Sequence, residues 1–452
     1  MDYFHNLVNL PNLDGPLVGR QAELLTLHQT LAGGGCVAIV GVGGQGKTAL
    51  VWAYFKEVYG EAGFAKPIWH TVRGDGTDLT SIATYLEIDF AGTRPEQTAE
   101  QIRANLMQQA RLLVLDNFED AIREGGQLSP DLEALWPKIV GLNGPSRVLI
   151  TSRDLPKLAD NYFPSLGMLP LHPLADNDGA DLLRQRGLNN QPENLLRSAN
   201  QRAAGNPLAL TLLANLVKRG HALPNLLKEG GNWDVNLQEN PLLLVKTWDL
   251  LLNENERETL KALAVLRPPL SRPLLDYVLQ PPMLPKQTEG QRDELLRRLE
   301  HDLGLVSSPG YQLHGLFRRF VLDKKLIEGE AEIVAWTAAL YFQFEEMPHL
   351  KPTAHYGRKN IEEGRAAVEA VLYLNAAGFY RPSIALFEYN ELQNDLRRWG
   401  QFNLLVKIYE EWLKPFTKLD KERQGITLGN LGNAYQSLGQ YDKAINFPAV
   451  MR

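Results

Sequence analysis

Gly41-Val42-Gly43-Gly44-Gln45-Gly46-Lys47-Thr48 is the stretch that decides the fold. The apolar run Val37-Ala38-Ile39-Val40 precedes it, and the helix-like Ala49-Leu50-Val51-Trp52 follows. Strand, glycine-rich turn and helix is the setting a P-loop requires. The glycines let backbone N–H groups converge on phosphate oxygens without Cβ interference. The positive end of the helix dipole adds to that attraction. Gly41, Gly43, Gly44, Gln45, Gly46 and Ala49 are thus expected around the phosphates, with Lys47 reaching the β- and γ-phosphates and Thr48 offering a hydroxyl to Mg²⁺. The glycines also match the Gly-x-Gly-x-x-Gly dinucleotide fingerprint, but Lys47-Thr48 has no function in a dinucleotide site.

Arg111-Leu112-Leu113-Val114-Leu115-Asp116 reads as a second buried parallel strand ending in an acid. Such a strand carries its carboxylate to the sheet edge where ligands of open α/β sheets bind. Asp116 is therefore the second expected Mg²⁺ residue. Asn117 follows, where many hydrolytic P-loop enzymes place a carboxylate to orient water. An amide accepts a proton poorly, so slow hydrolysis is expected. A third strand, Arg147-Val148-Leu149-Ile150-Thr151, runs into Ser152-Arg153-Asp154. At the end of a strand neighbouring the P-loop strand, Arg153 would sense the γ-phosphate.

Five motifs occur in one order: Leu17-Val18-Gly19-Arg20, the P-loop, Leu113-Val114-Leu115-Asp116-Asn117, Thr151-Ser152-Arg153, and Gly205-Asn206-Pro207-Leu208. That order resembles the NB-ARC branch of the STAND ATPases. These are signalling ATPases of plant resistance proteins, the apoptotic protease-activating factor and many bacterial regulators. The resemblance spans roughly residues 15 to 325. It implies that Val18 and Arg20 line the adenine and ribose, and that Pro207 packs on the adenine from a helical lid. Proline suits that position, having a flat apolar face and no N–H to leave unpaired. Leu313-His314-Gly315 resembles the family's Met-His-Asp motif, which implies a contact from His314 to the β-phosphate of ADP. Gly315 stands where the family has an acid.

The implied architecture is multidomain: a P-loop three-layer α/β/α domain, a helical subdomain, a winged helix and a repeat-like helical arm. The expected divisions are a short segment at 1–16, the nucleotide domain at 17–164, the lid at 165–235 and a winged helix at 236–327. A degenerate helical region at 328–425 and a partial tetratricopeptide repeat at 426–452 complete the chain. The winged helix is suggested by Leu244, Trp248, Leu251 and Leu252 on one helical face, by Leu295, Leu299 and Leu303 on another, and by a Pro309-Gly310 turn. Its candidate recognition helix sets Arg292, Arg297 and Arg298 against Asp293, Glu294, Glu300 and Asp302, so nucleic-acid binding is not expected. A transcriptional regulator or a constitutive ATPase with the same core are the alternative readings. Leu431, Gly432, Ala434, Tyr435, Gly439 and Tyr441 resemble a tetratricopeptide repeat, with Trp399-Gly400-Gln401-Phe402 as an earlier copy. Pro448 interrupts the second helix, so the repeat is expected to be truncated.

The chain has 452 residues, 44% hydrophobic and 22% charged, with net charge −6. That size suits about three globular domains, without a basic field for nucleic acid. Its 1 cysteine, Cys36, precludes a disulfide framework or a cysteine zinc site. No apolar run is long enough to span a membrane, and a cytoplasmic location is expected. Residues 1–16 are too few for an effector domain, so output is expected through a protein partner on the helical arm or through conditional self-association. The expected function is an ATP/ADP switch in signal transduction.

Overall fold

The computed structural model describes residues 17–446, apart from 59–64, 75, 89, 91–92, 157–165, 229–232, 234–241, 267–269, 308–309, 328, 348–356, 360 and 415–418. The expected segment at 1–16, Pro309 and Pro448 lie outside the described residues.

Five parallel strands form the central sheet: β1 (Gly35–Val40), β2 (Ala65–Thr71), β3 (Arg111–Asp116), β4 (Arg147–Ser152) and β5 (Leu166–Pro170). Their order is β2-β3-β4-β1-β5. β4 thus lies between the P-loop strand and the acid-bearing strand, pairing Val37 with Leu149 on one side and Val114 with Leu149 on the other. Every residue of β3 is buried, as expected of a strand covered on both faces. β5 pairs Ile39 of β1 with Leu169, so residues 166–170 belong to the sheet rather than to the lid in which the sequence placed them. Gly167 and Pro170 hide the strand pattern, and proline is tolerated because β5 is an edge strand.

Alternate strand residues feed two apolar layers. Val37, Ile39, Val114 and Leu149 pack with Leu27 and Leu31 around α1 (Gln21–Thr30), and with Leu50, Val51 and Tyr54 of α2 (Lys47–Val58). Ala38, Leu113, Leu115, Val148 and Ile150 pack on the other side with α3 (Asp78–Tyr85), α4 (Pro95–Gln108) and α5 (Pro130–Val140). This is the expected three-layer α/β/α domain.

Beyond β5 come α6 (Asp176–Gln185), α7 (Glu193–Arg202) and α8 (Pro207–Lys218). They share one apolar cluster with helices Glu254–Val265, Arg272–Val278 and Glu289–Arg297, a two-stranded hairpin, and helix Gly315–Asp323. The hairpin joins β6 (Val306–Ser307) to β7 (Gln312–Leu313), with Val306 opposite Leu313. Leu244, Trp248, Leu251 and Leu252 are all buried, although the α-helix ends at Lys246 and a π-helical turn spans Thr247–Leu251. Another π-turn, Arg298–Asp302, carries buried Leu299.

From Ile361 to Asn446 successive helices stack on one another. Gly400 (φ +69°) and Gly439 (φ +72°) turn the chain between neighbours, a backbone state that favours glycine. Leu431, Ala434 and Tyr435 are buried. These helices fold back on the nucleotide domain: Val368, Val371, Trp399 and Leu404 share an apolar cluster with Leu79, Ile82 and Phe90. Arg73, between β2 and α3, lies 3.8 Å from Glu369.

Within the arm, Arg358 and Asp395 form a buried ion pair at 3.0 Å, and Arg358 Nη2 also donates to the Asn390 carbonyl at 2.7 Å. Asp395→Ala would leave the guanidinium buried without that carboxylate. The expected cost is about 3 kcal/mol. Urea unfolding followed by circular dichroism is expected to show an earlier transition for this variant.

Candidate functional site

The P-loop leaves β1 at the C-terminal edge of the sheet and enters α2 at Lys47. Gly44 and Gly46 have φ +75° and +89°, which opens the loop as a cradle. A Cβ on Gly46 would meet nothing within 4 Å, so space lies above it. Lys47 Nζ donates to the carbonyls of Gly41 at 2.7 Å and Val42 at 3.2 Å, spanning the loop from within. Burial pulls its ammonium pKa down, while the charge of Glu119 opposes that shift.

Thr48 Oγ1 donates to Asp116 Oδ1 at 3.0 Å. Thr151, at the end of β4, donates to the same oxygen at 2.5 Å and accepts from the Asn117 amide at 3.0 Å. The hydroxyl and carboxylate expected to hold Mg²⁺ are therefore in contact. Burial raises the Asp116 pKa, and the hydrogen bonds from Thr151 and Thr48 work against it. Oxygen ligands of this kind, one hydroxyl and one carboxylate, suit a cation that also takes phosphate and water.

Asn117 has φ 59°, in the left-handed region that asparagine tolerates better than most residues. The kink starts a 3-10 turn, Phe118–Ala121, that brings Glu119 back toward Arg153. Arg153 Nε lies 2.9 Å from Glu119 Oε1, and the Arg153 amide donates to Oε2 at 3.3 Å. Burial lowers the Arg153 pKa, with Glu119 the leading opposing charge.

The parts beyond the sheet close over this loop. Asn206 caps α8, accepting from the amides of Leu208 at 3.0 Å and Ala209 at 3.2 Å. Its Nδ2 donates to the Gly43 carbonyl at 2.9 Å, and the Leu208 amide donates to the Gly44 carbonyl at 3.2 Å. Pro207 is the first residue of α8, where a missing N–H costs nothing. A Cβ on Gly44 would fall 2.9 Å from Asn206 Oδ1 and 3.3 Å from Leu316. On the other side of the loop, Arg20 Nη2 donates to the carbonyls of His172 at 2.7 Å and Gln45 at 3.3 Å, and Gln45 Nε2 also donates to His172 at 2.8 Å. Val18 packs against the apolar cluster that contains α6–α8.

His314 caps helix Gly315–Asp323, its Nδ1 accepting from the Leu316 amide at 3.3 Å. It feels the charges of Arg153 and Lys47, and its neighbour Gly315 lies beside the Arg153 guanidinium. The absent side chain of Gly315 matters locally, since its Cβ would lie 3.4 Å from Arg153 Nη2. Lys47, Thr48, Asp116 and Arg153 thus lie together at the strand ends, Asn206-Pro207 and the start of the His314 helix lie against Gly43 and Gly44, and Arg20 lies against Gln45. Sequence reasoning missed Asn206 as the residue that ties lid to loop, although asparagine before proline is a helix-start signal. It also missed His172, which acts only through its backbone carbonyl, and Thr151 as a partner of Asp116.

No family model matches the chain, and no curated protein sequence matches it. Solved structures do. One is a signal transduction ATPase with numerous domains (STAND) carrying a tetratricopeptide repeat sensor, from Pyrococcus horikoshii. It aligns at TM-score 0.57 with 17% identity over 97% of this chain and 64% of its own length. Weaker likenesses are a Walker-type ATPase of Pyrococcus abyssi (TM-score 0.32, 15% identity, 68% of this chain and 96% of that one) and Cdc6p from Pyrobaculum aerophilum (0.36, 16%, 72% and 99%). The chain spans 64% of the first neighbour's length. The likeness to the first of these is one of fold: a parallel-sheet α/β domain with a P-loop, followed by a helical arm. Among the described residues, no helix is long and apolar enough to cross a membrane.

His314 yields a pH prediction. Burial and the cations Arg153 and Lys47 lower its pKa from 6.5 to about 4. With Nδ1 accepting, the neutral ring carries its proton on Nε2. Between those two pKa values the unfolded chain binds a proton that the folded chain refuses. Stability is therefore fully present above about pH 6.5 and falls as pH drops toward 4. His314→Asn keeps a capping oxygen but does not titrate. Its melting temperature is expected to fall less than that of the wild type between about pH 7 and pH 5, as calorimetry would register.

Proposed function

We propose that this chain is an adenine-nucleotide switch of the STAND type, which holds ADP at rest and self-associates after exchange for ATP. The observation that carries this reading is the closure of two downstream units onto one P-loop, through Asn206 on Gly43 and through Leu316 beside Gly44. In this reading Lys47 and Arg153 face the phosphates, Val18, Arg20 and Pro207 border the base and ribose, and His314 reaches the β-phosphate. Thr48 and Asp116 would hold Mg²⁺, which when bound offsets phosphate charge. The nucleotide domain then runs from 17 to 170, with the lid, a winged-helix unit and the arm following. A nucleotide biases such a switch only through contacts that differ between closed and open states. The signal passes to a protein partner through the arm and the assembled form.

Two features support a switch over the alternatives. Arg292, Arg297 and Arg298, on the helix that would read DNA, pair with Asp276 at 3.2 Å, with Glu294 at 2.8 Å and with Glu256 at 2.6 Å. Cations already neutralised by carboxylates release few counterions from a duplex. Asn117, in turn, disfavours rapid turnover, since an amide is a weak base.

Lys47→Ala removes the main phosphate-facing cation. In equilibrium titrations with ADP and Mg²⁺ it is expected to bind at least tenfold more weakly, the scale of one charge-assisted hydrogen bond. Unchanged affinity would sink the nucleotide reading. Wild-type hydrolysis in single-turnover assays is expected far below the enzyme median of about 10 s⁻¹. Asn117→Asp, which keeps tolerance of the left-handed backbone, is the substitution expected to raise it.

A further inference from the structure

The Glu119–Arg153 pair has a chemistry that the nucleotide reading alone does not use. Arg153 stands at the end of β4, next to the P-loop strand, where an incoming terminal phosphate needs a cation. In this structure Glu119 already takes that cation, through the 2.9 Å ion pair and the 3.3 Å bond to the Arg153 amide. Both side chains are largely shielded, at 19% and 16% exposure, so solvent weakens their attraction less than at an open surface. The same carboxylate is the leading charge acting on Lys47. Glu119 therefore part-neutralises both of the cations expected to face the phosphates. Its position follows from the left-handed kink at Asn117, which turns the chain back over the strand ends.

We propose that Glu119 sets the preference of this site for a nucleoside diphosphate over a triphosphate. The inference rests on the nucleotide reading above and deepens it. With a diphosphate, Lys47 faces the two bound phosphates and Glu119 keeps Arg153. A triphosphate brings further negative charge to the same cations, and must either displace Glu119 from Arg153 or sit beside it. Either route costs the triphosphate and leaves the diphosphate nearly untouched. Gly315 completes the arrangement: its missing side chain leaves Arg153 Nη2 without a second carboxylate from that side. Glu119 alone is thereby the carboxylate paired with this guanidinium among the described residues. It is a selectivity residue and needs no part in bond cleavage.

The experiment is a pair of titrations on the full chain with Mg²⁺, one with ADP and one with an imido-bridged, non-hydrolysable ATP analogue. Glu119→Gln keeps shape and removes charge. It is expected to strengthen binding of the analogue about tenfold while ADP affinity stays within about twofold, the scale of one charge-assisted contact. Arg153→Gln is the second variant, expected to weaken the analogue about tenfold and spare ADP. Equal effects on both ligands in either variant, or an unchanged ratio in Glu119→Gln, would overturn the proposal and leave Glu119 a loop-holding residue. A slower hydrolysis rate in Glu119→Gln with an unchanged affinity ratio would also overturn it, in favour of a water-orienting role. If wild-type protein binds neither ligand, the nucleotide reading itself fails, which is a different result from binding with an unaltered ratio.

Discussion

A loop of glycines has no side chains with which to satisfy its own carbonyls, and the rest of the molecule is arranged around that deficit. Gly41 and Val42 are satisfied by Lys47, Gly43 by Asn206, Gly44 by the Leu208 amide, Gln45 by Arg20, and Gly46 by the Leu50 amide. The donors come from the loop's own helix, from the segment before α1, and from the start of α8. Carbonyls so held leave the loop amides free of competition for an anion. The cost of leaving buried carbonyls unpaired therefore binds the lid to the nucleotide loop.

That dependence explains why the lid and the loop are read together. Asn206 is at once an ordinary helix cap and the donor to Gly43. Removing it would cost the helix about 1 kcal/mol and would also free one loop carbonyl. The arm approaches the nucleotide domain beside the end of β2. The carbonyl of Asp120 lies against Gly74, and Asn403 of the arm lies against Gly76 two residues on. Glycine is required at both positions, since each has positive φ and no room for a Cβ.

How much of this was legible in the sequence differs from element to element. β1, β3 and β4 announce themselves as apolar runs because both faces are covered. β5 does not, since an edge strand with Gly167 and Pro170 has neither the run nor the alternation. Lys47 and Thr48 were readable because their spacing is set by local geometry, strand to turn to helix, and Asp116 because it ends a fully buried apolar strand. The partners Thr151, His172 and Asn206 act across 35, 127 and 163 positions of chain, and no local pattern encodes such distances. The ion pairs of Arg292, Arg297 and Arg298 were half visible as a balance of charge, but which acid meets which arginine depends on helix packing.

The left-handed residue at position 117 has a consequence for descent as well as for chemistry. Restoring a strong base there by way of glutamate would place a long side chain in a backbone state that costs roughly 1 kcal/mol or more. Aspartate meets a smaller penalty, because its short carboxylate can bond locally. At position 117, therefore, aspartate brings a carboxylate at little cost in backbone strain, and glutamate only at a larger one. A lineage that gains a carboxylate at this position is expected to pass through aspartate, since one torsion angle makes glutamate the costlier step.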